Sequence, residues 1–147
     1  MIEYIPMELR HVPQIAELEK ECFSGPWSET SIASELQNPL SLWLVAIDRS
    51  QVAGYIGSQT VMDEADMMNL AVSTQYRRRG IAKNLVEALV TALRNKNVTS
   101  LTLEVRASNA PAIALYEQMA FAQVGRRPNY YRNPKEDALI LRKEWAL

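Results

Sequence analysis

A short apolar run, an arginine-rich turn and an amphipathic helix follow one another between residues 67 and 93. This succession limits the possible folds more than any other feature of the chain. Met67-Met68-Asn69-Leu70-Ala71-Val72 is nearly continuous in apolar residues and reads as a buried strand. After the turn Arg77-Arg78-Arg79-Gly80-Ile81-Ala82, the residues Ala82, Leu85, Val86, Leu89 and Leu93 fall at helical spacing. A helix opening at such a turn presents unpaired backbone N–H groups and the positive end of its dipole. That is an anion site, suited to a pyrophosphate. Gly80 has no Cβ to hold a ligand off the backbone, and Ala82 is small. The plain alternative is a solvated turn in which Gly80 only relieves strain. No Gly-Lys-Ser/Thr follows, so this is not a Walker loop. A single glycine does not make a dinucleotide fingerprint.

The rest of the chain alternates in the same way. Residues 2–6 read as a strand, and residues 11–23 as a helix with Val12, Ile15, Leu18 and Cys22 at helical spacing. Ser24-Gly25-Pro26-Trp27 breaks the pattern. Ser28 is a good N-cap for a helix to about residue 37, with Trp27 and Ile32 in the staple positions around it. Leu42 to Ile47 and Val52 to Val61 read as two strands joined at Asp48-Arg49-Ser50. A strand at 65–72, a helix at 80–95, a strand at 100–106, a helix at about 110–119 and strands near 121–126 and 137–143 complete the order. This predicts one α/β domain over residues 1–147: a mixed seven-stranded sheet with helices on both faces.

Composition excludes several classes of function. At 147 residues with 48% hydrophobic content, the chain can bury a core. A net charge of −1 provides no basic field for nucleic acid. Cys22 is the only cysteine, which fits a reducing compartment, and it reads as a small buried thiol. His11 is the only histidine, so a histidine metal site or a Ser-His-Asp triad is poorly supplied, and no metal is expected. The segment Met1–Pro6 does not read as a signal peptide, and no run is long enough to span a membrane. A cytoplasmic protein is the expectation.

The strand at 100–106 carries the candidate chemistry. Leu101, Leu103 and Val105 share one face, and Thr102, Glu104 and Arg106 share the other. Glu104 thus lies toward the carboxyl end of a strand, where ligands gather in open sheets, and a carboxylate there can act as a general base. Its plain reading is an exposed glutamate, or one in a salt bridge to Arg106 or Arg77. Asn109 is either a helix N-cap or a ligand contact. Tyr116 shares a helical face with Ala112, Leu115 and Met119, as a core aromatic or as a phenol aimed into the cleft beside Glu104. Tyr130 and Tyr131 suit a flexible peptide end, or packing on the sheet edge.

The Arg77–Ala82 turn resembles the Arg/Gln-x-x-Gly-x-Gly/Ala signature of the GCN5-related N-acetyltransferases. The order of elements resembles that family's fold over nearly the whole chain. Leu103–Asn109 with Ala112–Glu117, Pro26-Trp27-Ser28-Glu29, Arg126-Arg127 and Tyr130-Tyr131 together resemble its ribosomal-protein-alanine branch. The resemblance implies acetyl-CoA as donor, in a splayed cleft between the strands at 65–72 and 100–106. It implies Glu104 as general base and Tyr116 as general acid. It implies that Leu70, Ala71 and Val72 contact the pantetheine arm, that Arg77, Arg78, Arg79, Gly80, Ile81, Ala82 and Lys83 hold the pyrophosphate, and that Asn109 contacts coenzyme A. It implies Trp27, Tyr130 and Tyr131 on the acceptor side, and an acceptor that is the N-terminal alanine of small-subunit ribosomal protein eighteen. Pro128 departs from the branch's Arg-Arg-Asn-Tyr-Tyr run, so the substrate-side loop is expected to differ in shape. The alternatives are transfer to another amine, such as a lysine or a small molecule, and a non-catalytic acyl-CoA-binding module.

Overall fold

Seven strands form one sheet in the order β1-β2-β3-β4-β5-β7-β6 in the computed structural model, which describes residues 1–147. The strands are β1 (Ile2–Pro6), β2 (Ser41–Asp48), β3 (Gln51–Val61), β4 (Glu64–Val72), β5 (Ser100–Arg106), β6 (Ala122–Tyr131) and β7 (Glu136–Glu144). Helices α1 (Val12–Cys22), α2 (Glu29–Ser34), α3 (Ile81–Arg94) and α4 (Ala110–Gln118) cover both faces. Every neighbouring pair is antiparallel except β4 and β5, joined in parallel by the crossover helix α3.

The alternation along β2 divides the core into two layers. Trp43, Val45 and Ile47 pack with Ile15, Leu18 and Ile32 of α1 and α2. Leu44 and Ala46 face Leu85, Leu89 and Leu93 of α3, in a cluster that also takes Tyr116 of α4 and Phe121 just after it. Both faces of the central strands are covered, as their near-continuous apolar sequences require.

Two irregularities shape the functional end. The register of β3 and β4 shifts at Gly57/Ser58, which pair with Asn69 and Met67 and leave Met68 as the extra residue of a bulge. Beyond this point β4 turns away from β5. Their pairing covers only Glu64, Ala65 and Asp66 against Ser100, Leu101 and Thr102. Gly57 also lies under the Trp43 ring, where a Cβ would come within 2.4 Å of the indole.

Most predicted elements stand within a residue or two of their expected bounds. The helix expected from Ser28 to about residue 37 is shorter. The α-helix ends at Ser34 and a 3₁₀ turn takes Glu35–Gln37. That turn brings the buried Glu35 carboxylate to Trp43 Nε1 at 3.3 Å and Gln59 Nε2 at 2.8 Å. The strand expected near 121–126 runs on to Tyr131, so Asn129, Tyr130 and Tyr131 belong to an edge strand. Pro128 is accommodated there because β6 and β7 lose register between Arg127 and Tyr131.

Candidate active site

The separation of β4 from β5 opens a cleft of about 850 Å³. One wall is the β4 segment Met67–Val72, whose edge toward β5 has no strand partner. The other is the end of β5 with the first turns of α4. The cleft is also lined by the α1–α2 loop, from Phe23 to Trp27, and by the β6–β7 hairpin around Tyr130–Pro134.

On the β4 side, the site is made of backbone. Gly80 is the N-cap of α3 with φ +73°, a left-handed conformation that costs glycine little. Nothing lies within 4 Å of where its Cβ would stand, so the backbone angle is what calls for glycine here. The first helical bond of α3 runs from Asn84 N–H to Gly80 O at 3.0 Å. The N–H groups of Ile81, Ala82 and Lys83 therefore have no intrahelical acceptor. Of the arginines, Arg77 reaches back to Val72 O at 3.4 Å, and Arg79 stacks on the Tyr76 ring at 5.2 Å.

On the β5 side, the alternation is as expected: Leu101, Leu103 and Val105 are buried, and Thr102, Glu104 and Arg106 are half-buried. Glu104 pairs with neither Arg77 nor Arg106. Arg127 Nε of β6 approaches Glu104 Oε2 to 2.7 Å. Its N–H is not aligned along that contact, and the buried Oε2 receives no hydrogen bond. Arg106 turns instead to the hairpin. It donates to Pro134 O at 2.9 Å, Arg132 O at 3.1 Å and Glu136 at 3.3 Å, and lies 4.4 Å above the Tyr131 ring.

Tyr116 is buried against Phe121, ring centroids 5.4 Å apart, and lines the cleft. Burial, then the neighbouring Tyr131, push its phenol well above the ordinary tyrosine value. Burial and the charge of Glu104 push Tyr131 to about 12. Both hydroxyls are therefore protonated at neutral pH. Asn109 caps α4, accepting from Ala112 N–H at 3.3 Å, and also lines the cleft.

Residues 12–121 match the acetyltransferase (GNAT) family. The chain belongs to that family. It is 38% identical over 137 residues to the [ribosomal protein bS18]-alanine N-acetyltransferase of Escherichia coli K12, with 92% of each protein covered. It is 41% identical over 133 residues to the enzyme of that name in Salmonella typhimurium LT2, with 88% of each covered. The crystal structure of the Escherichia coli ribosomal-protein-S18-alanine N-acetyltransferase superposes with a TM-score of 0.92 at 36% identity, covering 100% of this chain and 96% of that one. The NatC complex bound to Gag peptide and CoA superposes at 0.85 and 27% identity, covering 99% of each chain. This protein is an N-acetyltransferase, and its sheet and helices are those of the family.

The structure gathers most of the sequence candidates around the cleft. Leu70, Ala71, Val72 and Ala82 line the β4 side, Glu104, Asn109 and Tyr116 the β5 side, and Trp27, Tyr130 and Tyr131 the flanking loop and hairpin. Arg77, Arg78, Arg79, Gly80, Ile81 and Lys83 lie outside the lining. The Ile81 side chain is buried in the α3 core, so only its backbone can serve a ligand. Arg106 and Arg127 stood in the sequence reading without their partners, which lie far along the chain. One residue, Glu19, escaped it. Glu19 had a signal: with Val12, Ile15 and Ala16 it sits on the buried stripe of α1, an acid where an apolar residue is expected.

Proposed function

We propose that this protein transfers the acetyl group of acetyl-CoA to the N-terminal α-amino group of ribosomal protein bS18, at alanine. The observation that carries the reading is that Glu104 and Tyr116 both line a cleft whose other side is an unpaired strand edge. The activity named for the Escherichia coli and Salmonella relatives agrees with it.

Coenzyme A fits the residues present. The free edge of β4 at Leu70 and Val72 offers amide partners to a pantetheine arm, as a further strand would. The unpaired N–H groups of Ile81, Ala82 and Lys83 suit a pyrophosphate, with arginine charge nearby. Asn109 keeps its side-chain NH₂ as a donor while its oxygen caps α4. The thioester supplies an acyl group already activated toward amines. Glu104 takes the proton of the attacking nitrogen, directly or through one water. A free α-amino group titrates near pH 8, so a base of modest strength suffices. As the C–S bond breaks, the Tyr116 hydroxyl donates to the sulfur. Its raised pKa makes a lasting tyrosinate costly, so the donation accompanies bond cleavage, and the proton held by Glu104 resets the phenol through solvent.

The test mixes protein, acetyl-CoA and a peptide with the bS18 N-terminus. Thiol should be released in step with peptide acetylated at its α-amino group. Absence of turnover, or equal turnover on a peptide whose N-terminus is blocked, would overturn the reading.

A further inference from the structure

Glu19 is fully buried on α1 and does not line the cleft. It nevertheless holds the cleft's α1–α2 loop at both ends. Its backbone oxygen accepts from Phe23 N–H at 2.9 Å, where the loop begins. Its carboxylate Oε1 accepts from Trp27 N–H at 2.9 Å, where the loop ends. Its Oε2 accepts from Asn69 Nδ2 of β4 at 2.8 Å and from the Tyr55 hydroxyl of β3. A circuit closes through the rings. Tyr55 stacks on Trp43 at 5.7 Å, and Trp43 meets the Trp27 ring at 5.4 Å.

Burying a carboxylate costs free energy unless its oxygens are bonded, and here every partner belongs to a wall of the cleft or supports one. Burial raises its pKa, opposed by the Trp27 and Asn69 bonds. A network needed only for packing would be replaced at little loss by apolar side chains of the same volume. Asn69 and Trp27 both line the cleft, one on the β4 wall and one in the loop.

We infer that Glu19 is a positioning residue, fastening the Trp27 loop to β4 so that the acceptor peptide meets a preformed wall. This rests on the proposed function, because it assigns the loop to the acceptor. Glu19→Leu removes every carboxylate bond at similar volume and leaves the backbone bond to Phe23 in place. The peptide KM should then rise about tenfold or more, the size of a lost bond to a charged group, with acetyl-CoA affinity within about twofold. Glu19→Gln keeps an oxygen for Trp27 N–H, and the Tyr55 hydroxyl and Asn69 amide can both reorient, so it should restore KM to within about threefold. A merely structural role would lower both affinities together and would not be rescued in this selective way. A folded Glu19→Leu protein with the wild-type peptide KM overturns the inference, as does a parallel loss of acetyl-CoA binding. If Glu19→Leu does not fold, amide exchange in the wild-type protein decides: Trp27 N–H should exchange far more slowly than Gly25 N–H, and equal rates overturn it. A wild-type protein inactive on the bS18 peptide would defeat the proposed function instead, and the exchange comparison would still judge the fastening by Glu19.

Discussion

Two parts of the cleft lining, the β4–α3 wall and the flanking loop and hairpin, are built by different means. The β4–α3 side uses main chain: an unpaired strand edge, a left-handed glycine and the free N–H groups of a helix start. The flanking loop and hairpin use side chains reaching across the fold. Glu19 fastens the α1–α2 loop, and Arg106 pins the β6–β7 hairpin through residues 26–30 positions away. A backbone-built site suits a ligand that never changes. A side-chain-built wall can be re-cut by substitution without disturbing the sheet.

Four experiments would break or sharpen this contrast. Glu104→Gln, between the two halves, should lower kcat/KM about 10²–10⁴-fold at neutral pH, with the loss shrinking as the amine deprotonates at higher pH. Steady-state rates across pH check it, and wild-type turnover at pH 7 would remove Glu104 as the base. Gly80→Asp places a side chain at φ +73° and a negative charge beside the helix start. Acetyl-CoA should bind about a hundredfold more weakly, since like-charge contacts cost several kcal/mol. Calorimetry on the folded variant reads this, and unchanged affinity would take the Arg77–Lys83 turn out of the donor site.

Tyr116→Phe should lower kcat about tenfold to a hundredfold while acetyl-CoA binding holds, the mark of an interaction made in the transition state. The ring against Phe121 is kept, so the melting temperature should move little. Full turnover would return Tyr116 to a packing role. The smallest effect concerns acid pH. Asp137 is held below its ordinary carboxylate value by the Asn129 N–H and then by Arg126, and Glu136 by Ser108 and then Arg106. A lowered carboxylate pKa gives stability present above the unfolded values, about 3.9 and 4.3, and lost as pH falls through the folded ones. The Tyr130–Tyr131 hairpin should therefore loosen below about pH 4 while the α3 core stays ordered. Amide exchange resolved by segment can see this, and simultaneous loss of both regions would erase the contrast.

The β4–α3 side was also the more legible half. The run Met67–Val72, the turn to Gly80 and the spacing of α3 are local patterns, and each stands where expected. Alternation placed Glu104 on the open face of β5. Its ion partner was not readable. Arg127 meets Glu104 only because β7 lies between β5 and β6, an order set by the whole sheet. Arg106, a neighbour of Glu104 on the same strand face, was drawn away by three hairpin acceptors. Asn109 remained a cap while also joining the cleft wall, so its two readings were not exclusive.

Sequence alone determined the elements, their order and which residues share a face, because periodicity and turn chemistry act within a few residues. Tertiary structure decided where β4 and β5 part, after Asp66, and the partners of Glu19, Glu104 and Arg106. Those partners depend on charges and hydrogen-bond acceptors brought together from distant positions, and no local pattern encodes that meeting.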